Sequence, residues 1–226
     1  MFTGTIIYGL LNSAILALMA IGFNLTFGIS GVANFAYGAM YIFAAYSSWM
    51  VLHLVELPYW LAIPVSIAAT MVLGALMYQF VLLRVRGQAL SEVIATFGIG
   101  LAILELFHYL GFVGFEYTLP VLIDGSIMIG DTMVDWQRIL ATGVAGLLVA
   151  GLWAFTHYTR TGLAFRGIAQ DERTALTLGI ESDRMAMLSV SLGCGLSALA
   201  ATVIIPLGSI SPSEGYEVLI KALAVC

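Results

Sequence analysis

The sequence predicts an all-α, polytopic membrane protein with six complete spans, the start of a seventh and its N-terminus outside. Its composition is far from that of a soluble domain, because 61% of the 226 residues are hydrophobic and 9% are charged. The apolar residues also fall into runs of about 20, the length that an α-helix needs to cross the hydrocarbon of a bilayer. No basic segment precedes the first run, which exceeds the apolar core of a signal peptide, so we expect it to be retained as a span.

Six apolar runs are long enough to cross a membrane. They cover residues 4–27, 35–55, 59–83, 89–112, 136–157 and 185–207. A seventh run begins near Tyr216 and reaches Cys226 after about 16 Å of helix, which is short of a hydrocarbon core of about 30 Å. We therefore expect a single transmembrane domain over residues 1–226 whose C-terminus is truncated.

The basic residues predict the orientation of the spans. Arg84 and Arg86 lie in one connection, and four further arginines lie in segment 159–184 two spans later, so both connections are on the same side. The positive-inside rule makes that side cytoplasmic. The connection 113–135 carries acidic residues but no Lys or Arg and is expected outside. Apolar segments around Asp124 and Gly125 predict a small hairpin there that caps the helices.

Segment 159–184 is the one long charged stretch of the sequence, with four arginines and four acidic residues between uncharged spans. Asp171 is placed to cap the start of a helix, and Gly179 to supply the left-handed residue after its end. This pattern predicts a short helix over residues 169–180. A helix of this length is not stable alone in water, so it must rest on the membrane helices or on a separate protein, unless the segment is an ordinary connecting loop.

The connection 28–34 between the first two spans contains two glycines and no charge, which is unusual for a solvated loop. Irregular backbone is tolerated at membrane depth where protein or a water-filled cavity satisfies its polar groups, and broken helices of this kind frame transport sites. Close helix packing through the glycines is the alternative interpretation. The candidates for a translocation pathway here are Asn24, Thr26, Ser30, Asn34, Tyr37 and Gly38.

Glu105 is an acid deep in an apolar run, and His108 follows it on the same helical face. The two side chains are placed to pair, and an ionisable residue within a span is a functional candidate. Their position towards the outer end of the run also allows both to reach water. Glu92, in the first turn of the same helix, is expected to be solvated.

Small residues at every fourth position predict close helix contact in the sixth span. They are Ser189, Gly193, Ser197 and Ala201. Gly143 and Gly146 form a weaker pattern of the same kind in the fifth span.

Neither a metal site nor a cofactor is expected, because the three histidines are scattered and the two cysteines lie in apolar runs. No polar connection is long enough to form a nucleotide-binding or catalytic domain. Apart from Glu105 and His108, the spans also lack converging catalytic groups. A membrane-embedded enzyme is therefore the weakest functional class, and nothing indicates a nucleic-acid partner.

Three stretches resemble the permease subunits of bacterial ABC importers for branched-chain amino acids. GFNLTFGISGVANFAYGAMYIFAAY is similar to the family signature of Phe-Gly, Gly-x-x-Asn-Phe-Ala-x-Gly and Ala-Tyr. GLAFRGIAQDERTALTLGIESDR is similar to the segment that contacts the ATPase, and LSEVIATFGIGLAILE places Thr96 and Gly98 in the expected setting. The sequence departs from the family at Tyr37, where His is usual, and in ending before a Gly-Gly motif that follows LIKALAVC. Glu105 matches no family position.

The resemblance implies a subunit of the bacterial cytoplasmic (inner) membrane that forms the path for branched-chain or related hydrophobic amino acids. It implies two ABC ATPase subunits that hydrolyse ATP on the cytoplasmic side, a second homologous permease, and an external, periplasmic substrate-binding protein. Thr96 then joins the pathway candidates, and the helix over 169–180 becomes a coupling helix that docks into an ATPase. Its coupling residues are Ala169, Gln170, Asp171, Ala175 and Gly179.

An alternative function stays open at this point. An ATPase-independent channel or secondary transporter for a small polar solute such as urea or a short amide would need no coupling helix. Neither an inverted repeat nor several buried carboxylates, which would favour a secondary transporter, is evident in the sequence. Related permeases carry urea, short amides or sugars, so the resemblance defines the mechanism more closely than the substrate.

Overall fold

The computed structural model describes residues 2–31, 33–112, 117–123, 125–129, 132–208 and 210–225, and it is helical apart from one β-hairpin. The long helices are α1 (Phe2–Ser30), α2 (Tyr37–Leu54), α3 (Tyr59–Met77), α5 (Ala89–Tyr109), α6 (Trp136–Tyr158) and α9 (Ser182–Ile204). The shorter ones are a π-helical turn (Tyr78–Leu82), α4 (Leu83–Val85), α7 (Arg160–Gln170), α8 (Glu172–Thr177), a 3₁₀ turn (Ile205–Leu207) and α10 (Pro212–Val225). The predicted all-α class is confirmed.

Five helical stretches within the described residues are long and apolar enough to cross a membrane. They are Gly4–Ile29, Tyr59–Val85, Ala89–Tyr109, Trp136–Tyr158 and Ser182–Leu207. The predicted span 35–55 is not among them, because α2 carries tyrosines and serines along its length. Those side chains are buried, since Tyr41, Tyr46 and Ser48 are at most 1% exposed, so α2 lies inside the bundle where lipid does not select its composition. The count of six spans and the side of the N-terminus stay predictions.

Helix α9 is the centre of the bundle and α6 is at its edge. Within the most apolar stretch of each helix, 67% of the residues are buried in α9 and 11% in α6. The small residues predicted to allow close packing do so, because a Cβ atom on Gly193 would lie 2.8 Å from the Gly22 carbonyl oxygen of α1. The weaker pattern in α6 has no such role within this chain, since Gly143 and Gly146 face open space.

A two-stranded hairpin closes one end of the bundle, but not at the predicted place. Strands β1 (Ser126–Ile129) and β2 (Thr132–Asp135) pair antiparallel, so the turn falls at residues 130–131, outside the described residues. The predicted turn at Asp124 and Gly125 is wrong, because the partner of β1 follows it in the chain rather than preceding it. Asp124 itself also lies outside the described residues.

The two ends of the bundle differ in charge. We call the end that holds Arg86 and segment 159–184 the arginine end, and the opposite end, with β1 and β2, the hairpin end. The predicted grouping of both basic connections on one side is confirmed, because Arg86 contacts Glu172 and Asp183 directly.

Helix α10 begins earlier than predicted, at Pro212 rather than near Tyr216. It packs against α2 through two glycines, and a Cβ atom on Gly215 would lie 3.0 Å from both the Gly38 carbonyl oxygen and the Ile42 side chain. Further along α10, Leu219 lies beside Gly38. The two helices therefore run antiparallel, and the backbones approach closely because neither residue has a side chain.

Candidate functional site

The chain between α1 and α2 turns back inside the bundle. The Phe35 amide donates a 3.2 Å hydrogen bond to Thr96 Oγ1, and Thr96 lies about 10 Å of helix beyond the first residue of α5. The Tyr37 hydroxyl donates a 2.8 Å hydrogen bond to the carbonyl of Met19, near the middle of α1. Protein groups thus satisfy an irregular connection at the depth of the spans, which is what the uncharged, glycine-containing sequence predicted.

A polar cavity of about 780 Å³ opens beside this connection at the arginine end. We call it the inner cavity. It is bordered by the end of α1, the π-helical turn, α4, α8 and the N-terminal halves of α5 and α9, and its volume is in the range of sites for small molecules. Its polar lining includes Thr26, Asn34, Tyr78, Arg86, Thr96 and Glu172.

Two buried polar atoms at this cavity have no hydrogen-bond partner among the described residues. Asn34 is 4% exposed, and its Oδ1 accepts a bond from the Ala36 amide while its Nδ2 has none. The hydroxyl of Tyr78, also 4% exposed, has none either. A buried donor without a partner costs about 1–3 kcal/mol, so an arrangement that admits water or a ligand to these atoms would recover that free energy.

Arg86 connects the wall of the inner cavity to the charged segment. Its Nη2 donates to Glu172 Oε1 of α8 at 2.7 Å and to the Ser182 hydroxyl, and its Nη1 donates to Asp183 Oδ1 at the start of α9. Ser182 in turn donates a hydrogen bond to Glu172. Because Arg86 follows α4 directly, this ion-pair network fixes α8 to the end of the α3 span. The side chain of Arg86 is 27% exposed, so water screens the network partly rather than fully.

Glu92 does not behave as the sequence predicted. It is 8% exposed, and its Oε1 accepts a 2.8 Å hydrogen bond from the Gly87 amide in the connection before α5. The predicted solvated side chain is therefore wrong, because the connection folds back over the first turn of α5. Glu92 thereby fixes the backbone one residue after Arg86.

Both predicted ends of the short helix are present in α8. Asp171 Oδ1 accepts hydrogen bonds from the amides of Arg173 and Thr174, and Gly179 has a φ of +83°. The Gly179 amide bonds to the Leu176 carbonyl and the Ile180 amide to that of Ala175, which is the Schellman arrangement.

Hydrogen bonds from Thr174 lower the pKa of the exposed Asp171 carboxyl. A carboxyl with a lowered pKa stabilises the folded state above its unfolded pKa, and it loses that contribution as the pH falls through the lowered value. The cap of α8 is therefore complete at neutral pH.

The predicted bounds of the coupling helix need correction. The backbone leaves the helical region at Asp171 (φ −155°, ψ 101°), so Ala169 and Gln170 belong to α7 instead. Ala175 is 2% exposed and packs inside its own chain, whereas Leu176 and Leu178 are 51% and 76% exposed. The exposed apolar surface around α8 therefore comes from Leu176, which also borders the inner cavity, and from Leu178 just after the helix, and not from Ala175.

Helix α7 was not predicted from the sequence. Thr159 caps its start, with Oγ1 accepting a 3.0 Å hydrogen bond from the Gly162 amide. The helix buries Phe165 and Ile168 and packs against α6 and α1. Thr159 as a capping residue and the three-residue spacing of the buried side chains were the signals present in the sequence.

The remaining pathway candidates fall outside the inner cavity. Tyr37 is buried between helices, Gly38 packs on α10, and Asn24 is exposed on the surface of α1. The side chain of Ser30 lies outside the described residues. Thr26, Asn34 and Thr96 are the pathway candidates that border the cavity together.

Glu105 and His108 do contact each other, with 3.7 Å between Glu105 Oε2 and His108 Nδ1. Their side chains are 71% and 42% exposed at the hairpin end of α5, so they take no part in the inner cavity. Within the described residues, no three His, Cys, Asp or Glu side chains converge to hold a metal ion.

Several residues of the inner cavity were missed by sequence reasoning. Arg86 was used to orient the spans, and Tyr78, Glu172 and Ser182 carried no assignment. Their association depends on contacts across about 90 to 100 residues of sequence, which no local pattern encodes.

A polar cavity that reaches the depth of the spans in a polytopic helical bundle is the architecture of a membrane transport protein. Residues 5–226 match the model of the family described as branched-chain amino acid transport system, permease component, and the chain belongs to this family. No solved structure matches the chain.

Curated relatives carry the same description. The high-affinity branched-chain amino acid transport system permease protein BraD of Pseudomonas aeruginosa is 28% identical over 96% of this chain and 75% of its own. The corresponding permease protein LivH of Escherichia coli K12 is 27% identical over 91% of this chain and 71% of its own. A probable LivH permease of Methanocaldococcus jannaschii is 27% identical over 98% of this chain and 70% of its own.

Proposed function

We propose that this chain is the permease subunit of an ATP-driven importer in the bacterial cytoplasmic membrane, moving branched-chain or related hydrophobic amino acids. Membership of the permease family supports the role of the chain, and the names of the relatives support the substrate class. ATP is hydrolysed on two separate ABC ATPase subunits, an external binding protein delivers the amino acid, and a second homologous permease completes the path.

The observation that carries the proposal is the direct link between the inner cavity and the charged segment. Arg86 joins the end of α4 to Glu172 on α8 and to Asp183 at the start of α9. A displacement of α8 is therefore passed to two helices that border the cavity. An ordinary connecting loop does not require one arginine to contact Glu172, Ser182 and Asp183 at once.

The outer surface of α8 supports an ATPase as the partner at the arginine end. Leu178 is 76% exposed just after the helix, Leu176 is 51% exposed and also borders the inner cavity, and the exposed Arg173 adds charge to the same segment. An apolar centre within a polar rim is the usual composition of a protein interface. Because the six-residue α8 is anchored on both sides by chain that leads into α7 and α9, a partner bound to it moves the bundle.

The inner cavity supports the direction of release. It opens at the arginine end, which the positive-inside rule assigns to the cytoplasm. Asn34 and Thr96 border it where α2 begins inside the bundle, so the positive N-terminal end of α2 lies close to the cavity. An amino acid leaving towards the cytoplasm would pass these groups before it reached Arg86 and Glu172 at the open end.

The test is uptake of radiolabelled leucine into proteoliposomes that contain this chain in full length, its homologous permease, the ATPases and the binding protein. We expect uptake when ATP is supplied on the ATPase side, and none when the ATPases are omitted or carry an inactivating substitution. Uptake that proceeds equally well without ATPase would contradict the proposal. It would favour a channel or a secondary transporter instead.

A further inference from the structure

Three charged side chains follow one face of α10, away from the inner cavity. Glu214, Glu217 and Lys221 are spaced at i, i+3 and i+7, which aligns them on the helix. Glu217 Oε2 accepts a 3.0 Å hydrogen bond from Lys221 Nζ, and these two side chains are 68% and 45% exposed. These three side chains form a charged face on a helix that carries no other charge.

This face lies between the middle of the bundle and its hairpin end, because Leu207 and Gly208, where the α9 span ends, border the same cavity. Gly215, the neighbour of Glu214, packs against Gly38 in the first turn of α2, which itself begins inside the bundle. The same face borders Met19, which lies near the middle of the 29-residue α1. Charged side chains at the centre of a bilayer are rare and face a water-filled path, a bundle interior or another subunit rather than lipid.

A cavity of about 260 Å³ lies between the charged face and the bundle. Tyr41, which is 1% exposed, borders it, and no described residue makes a hydrogen bond with the Tyr41 hydroxyl. The half-buried Glu214 also borders the cavity, and its carboxylate makes no ion pair or hydrogen bond to the described residues. A buried hydroxyl and a carboxylate without partners beside one cavity indicate a ligand that donates hydrogen bonds.

We propose that this face of α10 lines the translocation path between the middle of the bundle and its hairpin end, and that it binds the ammonium group of a zwitterionic amino acid in transit. Glu214 and Tyr41 contact the ammonium directly, since a carboxylate and a phenolic oxygen both accept its N–H bonds. Lys221 neutralises Glu217, so one negative charge remains for the ligand. The inference rests on the proposed import of amino acids and adds the group that the path recognises.

The chemistry also predicts what the path rejects. Urea and short amides are neutral donors and lack the charge that compensates an isolated carboxylate at this depth. A 2-hydroxy or 2-oxo acid replaces the ammonium with an uncharged group and keeps its carboxylate, so the repulsion between that carboxylate and Glu214 is no longer compensated. Recognition at this face therefore favours amino acids over these analogues.

The first experiment measures leucine uptake by the reconstituted complete complex at saturating, leucine-loaded binding protein. Glu214→Gln should lower the maximal rate by about tenfold, as expected when a charge-assisted hydrogen bond is lost, while complex yield and the KM for the loaded binding protein stay unchanged. Glu214→Asp should restore part of the rate. Glu56→Gln, which changes an exposed acid in the connection between α2 and α3, should transport as wild type does.

The second experiment tests access from water. In a chain with Cys194→Ser and Cys226→Ser that still transports leucine, Glu217→Cys should react with a charged methanethiosulfonate, and leucine turnover should slow that reaction. Leu147→Cys is the control, because Leu147 is 71% exposed on the apolar face of α6 and should not react.

Three results would overturn the inference. Wild-type uptake by Glu214→Gln, or no reaction at Glu217→Cys, would remove this face from the path. Failure of Glu214→Gln and Glu217→Gln complexes to assemble would show instead that the charges join two subunits. The wild-type complex tests the proposed function separately. If it showed no ATP-dependent leucine uptake, the proposed function itself would be contradicted.

Discussion

At the scale of single residues, the most informative side chain is Asn34. Its oxygen caps the turn before α2 while its nitrogen is buried without a partner among the described residues. We expect Asn34→Leu to reduce leucine uptake by about tenfold, since removing an unsatisfied donor worth about 1–3 kcal/mol stabilises the present arrangement over one that admits a ligand to residue 34. The measurement is the initial rate of uptake by complexes of verified composition.

Asn24→Leu is the matched control for this prediction. Asn24 lies on α1, but its side chain is on the exposed surface and not at the inner cavity. The same substitution there should leave uptake unchanged. Equal uptake by both variants and wild type would return Asn34 to a packing role.

The residues also show where local sequence patterns suffice. Asp171 and Gly179 were identified from capping preferences, and both act as predicted because capping depends on hydrogen bonds within a few residues. Glu92 was misjudged for the opposite reason. Its partner, the Gly87 amide, is brought to it by the fold of a connection whose path the sequence does not specify.

At the scale of elements, segment 159–184 is two helices with a break, and α8 depends on its left-handed end. Gly179→Val should disfavour the φ of +83° by about 1–2 kcal/mol, because a β-branched side chain collides with the backbone in that region. Gly179→Asn keeps a residue that tolerates the conformation and should be nearly neutral.

The expected result is weaker binding of the ATPases to Gly179→Val complexes and slower uptake, with Gly179→Asn close to wild type. Co-purification of the ATPases with the tagged permease measures the first quantity, and leucine uptake the second. Normal ATPase binding and uptake by Gly179→Val would show that α8 is not the docking element.

The helices differ in how well the sequence predicts them. Apolar runs located α1, α3, α5, α6 and α9, because the requirement to cross lipid acts on composition directly. Helix α2 is not apolar enough to be recognised in this way, because it is packed against other helices and buries polar side chains such as Tyr41 and Tyr46. The hairpin was displaced along the chain, because strand pairing in a short connection is set by the turn and not by composition.

At the scale of the whole molecule, the orientation is a prediction that labelling can test. Ser182 is a poor position for a probe, because it is 5% exposed and bonded to Arg86. Leu178 is 76% exposed at the arginine end, and Met133 is 64% exposed at the hairpin end. In a chain without its native cysteines, Met133→Cys should react with an impermeant reagent on intact cells, and Leu178→Cys only after the membrane is opened. The reverse pattern would invert the proposed topology.

The inner cavity could be predicted only in part. Asn34 and Thr96 were found because an uncharged connection and a family signature mark them. The network of Arg86 with Glu172 and Asp183 joins residues 86 and 97 positions apart. Such distant pairs leave no periodic pattern in one sequence, so their association required the three-dimensional structure.

The central claim is that α8 transmits the action of an ATPase to the inner cavity through Arg86. The most direct test is the number of leucine molecules imported per ATP hydrolysed in the reconstituted complex, for wild type, Arg86→Ala and Arg84→Ala. Arg84 is the matched control, because it is an exposed arginine two residues away that makes no ion pair within the described part of the chain. We predict that Arg86→Ala continues to hydrolyse ATP but imports severalfold less leucine per ATP, whereas Arg84→Ala keeps the wild-type ratio. An unchanged ratio in Arg86→Ala would contradict the account.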